Sequence, residues 1–557
     1  MGSGAVHRPG LAAATDRARG ARSQAPWRGV LLLLLAPGVA AQRPAPSVTG
    51  YRVTLELPAS GDTIVAAARV AFSRAPEADT LVLNLVGLSI DGVAWAPDSS
   101  PESAWRPAAF HYDGQMLRIP LPSGRGPLEM DQVEVRYHGA PRDGLLVGVN
   151  ARGRRSVFAD NWPERARFWL PSVDRPAAKA TVAFVVKAPP GWRVVANGSR
   201  LAEAGAAQAW VERRPIPPYT MVLGAGRFTV SEHRPLVHGR DTVPIEVWAY
   251  PEDSVFADSG PFRRATEIVE TLERLVGPFP YEKLAHVESA TRFGGMENAS
   301  AIFYDEGAWS QGRLPEEIVR HETAHQWFGD AVTEREWHHL WLSEGFATYF
   351  ALVVGAALDG DSVLGAGLRA DAARYFRSAV VDRPVVDTAE HDLLRLLNAN
   401  NYEKGSWVLA MLRAVVGDSG FWTGIRAYYR IFRDSTAVSE DLQAVMERAA
   451  GQPLGWFFDQ WLRQPGYPML ACRWTIDPGR GPQATVALRQ VQPAGWGPFR
   501  LPGLTVEFRG PDGARARRVL TALGRETVQH FSLPFVPTGL AVDPDHAMLL
   551  TAQVEGP

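Results

Sequence analysis

His321-Glu322-Thr323-Ala324-His325-Gln326-Trp327-Phe328-Gly329-Asp330, followed by Trp341-Leu342-Ser343-Glu344-Gly345-Phe346-Ala347, is the stretch that decides how this chain is read. Residues four apart on a helix share one face, one turn above another, so His321 and His325 can reach a single ion. Zinc takes neutral imidazole nitrogens and carboxylate oxygens in a four-coordinate shell. Glu322, beside the first imidazole, can meet an attacking water without ligating the metal itself. Ile318, Val319, Ala324 and Phe328 supply a side for the helix to bury. A third ligand is expected from Glu344, eighteen residues beyond His325. Its neighbours Trp341, Leu342, Phe346 and Tyr349 read as buried, and a carboxylate in such company needs a cation or strong hydrogen bonds. Thr348, one turn on, is a candidate partner for that carboxylate.

Outward from this centre the rhythm changes twice. Towards the N-terminus, Tyr51 to Leu57 alternates apolar and polar residues, and shorter runs recur at Leu81–Leu85, Val133–Tyr137 and Val182–Val186. This is the period of half-buried strands. Asp113-Gly114 and Asn197-Gly198 mark turns between or after them. From about Asp258 the segments lengthen into helices, expected at Glu267–Val276, Glu316–Phe328, Leu340–Val354, Gly405–Val416 and Trp456–Leu462. Beyond Gly466 and Pro468 the strand rhythm returns in Leu504, Val506 and Phe508, with Asp512-Gly513 as a turn. The expected architecture is multidomain α+β: an N-terminal all-β domain over 42–232, a mixed α/β catalytic domain over 233–465 and a small C-terminal β-sandwich over 466–557.

Bulk properties agree. A chain of 557 residues is too long for one core, and 46% hydrophobic residues allow packed interiors. The net charge of −2 gives no footprint for nucleic acid. The single cysteine, Cys472, rules out an intrachain disulfide and any metal site of several cysteines, so a metal must rest on His and carboxylate ligands. Arg17, Arg19, Arg22 and Arg28, the apolar run Val30–Ala36 and then Val39-Ala40-Ala41 read as a signal peptide over 1–41, implying export to a periplasmic or extracellular space. No other apolar run reads as a membrane span, so stable membrane insertion is not expected.

With these residues in view, the chain resembles the M1 zinc metallopeptidases of the gluzincin clan, in an aminopeptidase N-like short form without the C-terminal helical domain of longer members. Four further blocks carry the resemblance: His325-Gln326-Trp327-Phe328-Gly329-Asp330; Gly294-Gly295-Met296-Glu297-Asn298, similar to the exopeptidase signature GxMEN; Tyr402-Glu403-Lys404-Gly405; and Ala166-Arg167 through Pro171-Ser172-Val173-Asp174-Arg175-Pro176. It implies a thermolysin-like catalytic fold, one Zn2+ per chain held by His321, His325 and Glu344, and peptide substrates with a free N-terminus. Glu297 would bind the α-amine, Gly294, Gly295 and Met296 would flank the peptide, and Tyr402 would donate to the developing oxyanion. Asp160 or Asn161 stands near the place of a second amine contact, without a clean match. The rivals are a thermolysin-type endopeptidase, which shares the metal ligands but does not need Glu297; a lipid-epoxide hydrolase within the family; and a non-catalytic secreted binding protein on a peptidase scaffold. Oligomeric state and side-chain preference are not written in the sequence.

Overall fold

The computed structural model describes residues 45–557 apart from 77, 99–100, 102–103, 124–125, 127–128, 202–206 and 478–481. The signal peptide read over 1–41 lies outside the described residues.

Strands β1 (Ser47–Glu56), β2 (Ile64–Ser73) and β3 (Ala180–Lys187) sit at the middle of an eight-stranded sheet. β1 pairs antiparallel with β2 and parallel with β3. The alternation in β1 does what its period demands: Tyr51, Val53 and Leu55 are buried while Arg52, Thr54 and Glu56 face out. This N-terminal part is β-rich throughout.

The middle part opens with a five-stranded mixed sheet: β4 (Thr229–His238), β5 (Asp241–Ala249), β6 (Leu284–Ser289), and β8 (Ala301–Asp305), with β7 (Gly295–Met296) at the edge beyond β8. β4 hydrogen-bonds to β5 along most of its length, so the run from Thr229 through residue 232 is part of this sheet. Helix α1 (Ala265–Leu275) precedes α2 (Glu316–His325), which carries the paired histidines. The short strand β9 (Val332–Glu334) leads to α3 (Trp341–Asp359), then α4 (Ser362–Phe376), α5 (Gly405–Phe432) and α6 (Ser439–Ala450). α2 stops at His325, three residues short of the expected end. α5 runs well past the expected Val416, through a bend at Gly417 where φ is 74°.

One expectation needs correcting. The segment Trp337–Asp359 is long and apolar enough to cross a bilayer, although no such run was read there. It is 83% buried inside the protein, which is how an all-round hydrophobic helix sits at the centre of a large domain.

The C-terminal part is two sheets. β10 (Met469–Ile476) and β11 (Gln483–Gln490) form the middle of a four-stranded sheet, and β12 (Leu501–Arg509) and β13 (Arg515–Ala522) belong to a three-stranded one. Trp474 of the first sheet meets Phe508 of the second edge-on at 6.3 Å, so the apolar faces of the two sheets meet. Asp512 and Gly513 turn the chain between β12 and β13 with φ of 56° and 77°.

Candidate metal centre and substrate cleft

The first-turn acids Glu316 and Glu317 complement the N-terminal end of α2, and the helix delivers His321 and His325 one turn apart. Their Nε2 atoms are 3.0 Å from each other. Glu344, in the first turn of α3, brings Oε2 to 3.3 Å from both. Bonds of about 2.0–2.1 Å at tetrahedral angles give edges of roughly 3.3 Å between ligand atoms, so these three atoms outline one face of a metal shell. Glu344 Oε2 is buried yet accepts no hydrogen bond of good geometry. The donor set, two neutral imidazoles and a carboxylate, suits zinc.

The ligands are held from behind. His325 Nδ1 lies 3.1 Å from the carbonyl oxygen of Phe328 and 3.1 Å from Ser343 Oγ, which turns Nε2 inward. Ser343 was not singled out in the sequence. The hydroxyl of Thr348, the expected partner of Glu344, finds no hydrogen-bond partner among the described residues. It faces a neighbouring cavity instead.

Two glycines set how closely the pieces approach. A Cβ on Gly345, next to Glu344, would lie 2.8 Å from the Cα of Gly405. That contact lets α3 touch the start of α5, where a π-helical turn, Asn400–Lys404, presents Tyr402. The Tyr402 ring stacks on that of His321 with centroids 6.0 Å apart. A Cβ on Gly295 would lie 2.2 Å from Glu322 Oε1, so the glycine at the sheet edge clears room for the Glu322 carboxylate. Gly294 has open space around it, and only Gly295 of the pair lines the cleft.

The cleft has a cavity of about 100 Å³ walled by Trp162, Phe293, Met296 and Leu397, with Glu297, Glu322, Glu344, both histidines and Tyr402 as its polar groups. A second cavity of about 370 Å³ shares Gly295, His321, Glu322 and Tyr402 with it and extends towards Arg374 and Glu403. Charge is concentrated here. Burial pushes Glu322 well above the usual carboxylate range; His325 opposes this, while Glu297 and Glu344 add to it. Burial raises Glu297 to about 7, again against His325 and with Glu344. For Glu344 burial acts in the same direction, but the facing His325 and His321 outweigh it and hold the carboxyl low. Glu297, Glu322 and His325 also converge as a possible ligand trio, but that set draws on the same imidazole. Glu334 of β9 was not anticipated. It is 1% exposed, has no hydrogen-bond partner among the described residues, and feels the charges of Glu297 and Glu344.

Asp160 and Asn161 are both committed elsewhere. Asp160 is buried between Arg165 at 2.6 Å and Arg292 at 3.0 Å. Asn161 donates to Met221 O at 2.7 Å and accepts from Trp169 Nε1 at 2.8 Å. The residue that this segment sends into the cleft is Trp162.

Residues 263–461 match the model of the peptidase family M1 domain and residues 48–214 that of the peptidase M1 N-terminal domain, together well over half of the chain. The chain is 27% identical over 436 residues to an aminopeptidase M1 of Arabidopsis thaliana, covering 71% of this chain and 48% of that one. It is 26% identical over 391 residues to an aminopeptidase B of Mus musculus, covering 64% and 58%. The chain thus spans about half the length of the curated relatives it matches. Among solved structures, an M1 zinc metallopeptidase from Deinococcus radiodurans shares its fold with a TM-score of 0.64 and 24% identity, over 75% of this chain and 93% of that one. A mutant of that protein bound to a Tyr-Ser-Ala substrate superposes equally well, with a TM-score of 0.64 and 23% identity.

Proposed function

This chain belongs to peptidase family M1, and from that premise we propose that it is a zinc-dependent aminopeptidase releasing N-terminal residues from peptides. The observation that carries the reading is the convergence of three metal-ligating atoms with a separate buried carboxylate, Glu297, in one narrow cleft. A zinc ion held by His321, His325 and Glu344 would supply Lewis acidity, making water more acidic and polarising the scissile carbonyl.

The chain's own groups do the rest. Glu297 pairs with the substrate's α-ammonium at the closed end of the cleft, so the bond presented for attack is the first one. Glu322 takes a proton from the attacking water and hands it to the departing nitrogen. The Tyr402 hydroxyl donates to the carbonyl oxygen as negative charge builds there. Trp162, Phe293, Met296 and Leu397 enclose the side chain of the first residue and exclude water. The Tyr-Ser-Ala substrate bound by the Deinococcus mutant supports peptides as the substrate class. Export belongs to the same proposal, and N-terminal sequencing of protein recovered outside the cytoplasm tests it.

The decisive experiment compares an aminoacyl arylamide with its N-acetylated form, with and without a chelator. Cleavage of the free amine alone, lost on chelation, supports the reading. Equal cleavage of the blocked substrate would assign an endopeptidase, and no cleavage of either by zinc-loaded protein would leave a binding protein.

A further inference from the structure

We propose that Gln326 is the positioning residue that fixes where a substrate's α-ammonium sits relative to the metal-binding imidazoles, an inference that rests on the aminopeptidase reading. Gln326 follows His325 directly and is fully buried. Both amide donors are used, and the carbonyl oxygen accepts one bond. Nε2 donates to the carbonyl oxygen of Glu297 at 2.8 Å and to Asp330 Oδ2 at 2.8 Å. Oε1 accepts from the backbone N–H of Ser300 at 2.7 Å. Only one orientation of the amide satisfies an acceptor at Glu297, an acceptor at Asp330 and a donor at Ser300 together.

The bonded segment is the turn that carries Glu297. Ser300 takes the left-handed region with φ of 61°, so the turn needs external bonds to keep its shape. The N-terminal part grips its far end: Asn197 Nδ2 donates to Ala299 O at 2.6 Å, and Gly198 N donates to Ser300 Oγ at 2.7 Å. Of the hydrogen bonds described for this turn, those of Gln326 are the ones that tie it to α2, the helix of the ligands. The packing of Gly295 on Glu322 sets how near the two pieces come, and the hydrogen-bonded link from Glu297 to the residue that closes the histidine helix runs through this one side chain.

That spacing has little tolerance. In a peptide the α-nitrogen is two bonds, about 1.5 Å each, from the carbonyl carbon under attack. A substrate cannot stretch to absorb a displaced Glu297, and a misplacement of about 1 Å can cost on the order of a hundredfold in rate. Gln326 touches neither substrate nor metal; it acts through Glu297.

The test measures amine recognition apart from turnover. Competitive inhibition constants are determined for an amino-acid amide and for its N-acetyl form, on wild type, on Gln326→Glu, which removes both donors, and on Gln326→Met, which is neutral and of equal length. Zinc content and melting temperature are recorded for each. The expected result, in whichever variant folds, is full zinc occupancy with the preference for the free amine reduced about tenfold or more. KM for unblocked peptides should rise more than kcat falls. An unchanged preference in a folded, zinc-loaded variant, with or without loss of turnover, overturns the assignment. A wild-type protein indifferent to acetylation would instead sink the aminopeptidase reading itself.

Discussion

The catalytic cleft and the C-terminal sheets both bury glutamates, and they treat them in opposite ways. Glu507, on β12, is 1% exposed and is met by Arg517 at 3.2 Å and Arg515 at 3.4 Å. Those arginines are themselves half in solvent, so the charge is neutralised at the rim of the sheets. Glu322 and Glu297 are buried with no Lys or Arg ion pair among the described residues, and the charges that act on them are those of His325, Glu344 and, for Glu322, Glu297. An acid kept in that condition weakens the fold, and its cost is sensible only where the free carboxylate does work. Under the proposed function Glu507 is a structural carboxylate and Glu322 and Glu297 are functional ones.

The sharpest way to break the comparison is Glu322→Gln. Loss of the general base should lower kcat by about 10²–10⁴-fold with one zinc still bound, and with stability unchanged or improved. Steady-state kinetics with metal analysis check this, and substantial residual turnover would return Glu322 to the structural class. Next is Tyr402→Phe, which should lower kcat by about 10²–10³-fold with little change in KM. An unaltered kcat would leave Tyr402 as packing against His321.

Glu288 sharpens the contrast through pH. It lies next to last in β6, fully buried, and burial pushes its carboxyl to about 9, the Asp253 charge adding while a bond from Tyr250 N–H opposes. The folded state therefore keeps a proton that the unfolded chain has released above about 4.5. Stability from this group is present below that pH and is lost as pH rises towards about 9, at up to ~1.4 kcal/mol per pH unit. Glu288→Gln should flatten the fall of urea-unfolding free energy between these limits, and an identical slope in the variant would refute the assignment. The smallest effect is expected at Glu507→Gln: roughly 1–2 kcal/mol of lost stability by denaturant unfolding, and unchanged kcat. A large loss of activity there would show that the sheets do more than pack.

How much was legible in the sequence follows the same division. His321 and His325 could be placed because helical periodicity alone puts them on one face, and Glu344 because its apolar neighbours made an ordinary surface acid hard to accept. Ser343, Gln326 and Glu334 were not legible, since their roles depend on which backbone atoms a distant loop brings to them. Asp160 and Asn161 illustrate the limit: the right residue types in the right segment, consumed by Arg165, Arg292 and Trp169. Tyr51 to Leu57 declared itself by strict alternation, whereas the strands over Arg155–Ala159 and Leu223–Gly226, buried at consecutive positions, carry no such signal. Helix α4 did not, having only Asp371 and Tyr375 fully buried over its length, and α6 buries just four residues. The short π-helical turn around Tyr402 has no sequence period of its own to announce it.

Lys179, which opens the run into β3, lies far from the cleft in sequence yet lays its ammonium on three carbonyl oxygens: Asp330 at 2.8 Å, Ala331 at 2.8 Å and Ser435 at 3.1 Å. Two of those carbonyls belong to the bend that follows the histidine helix, and the third to the short strand after α5, Ser435–Ala437, which pairs with β9. A scissors cut between the β-rich part and the catalytic part would strip this three-way clasp and leave the bend without its cation. The catalytic segment is thus no portable cassette: grafted alone onto another scaffold, it would have to bring a replacement for one lysine from a domain it left behind.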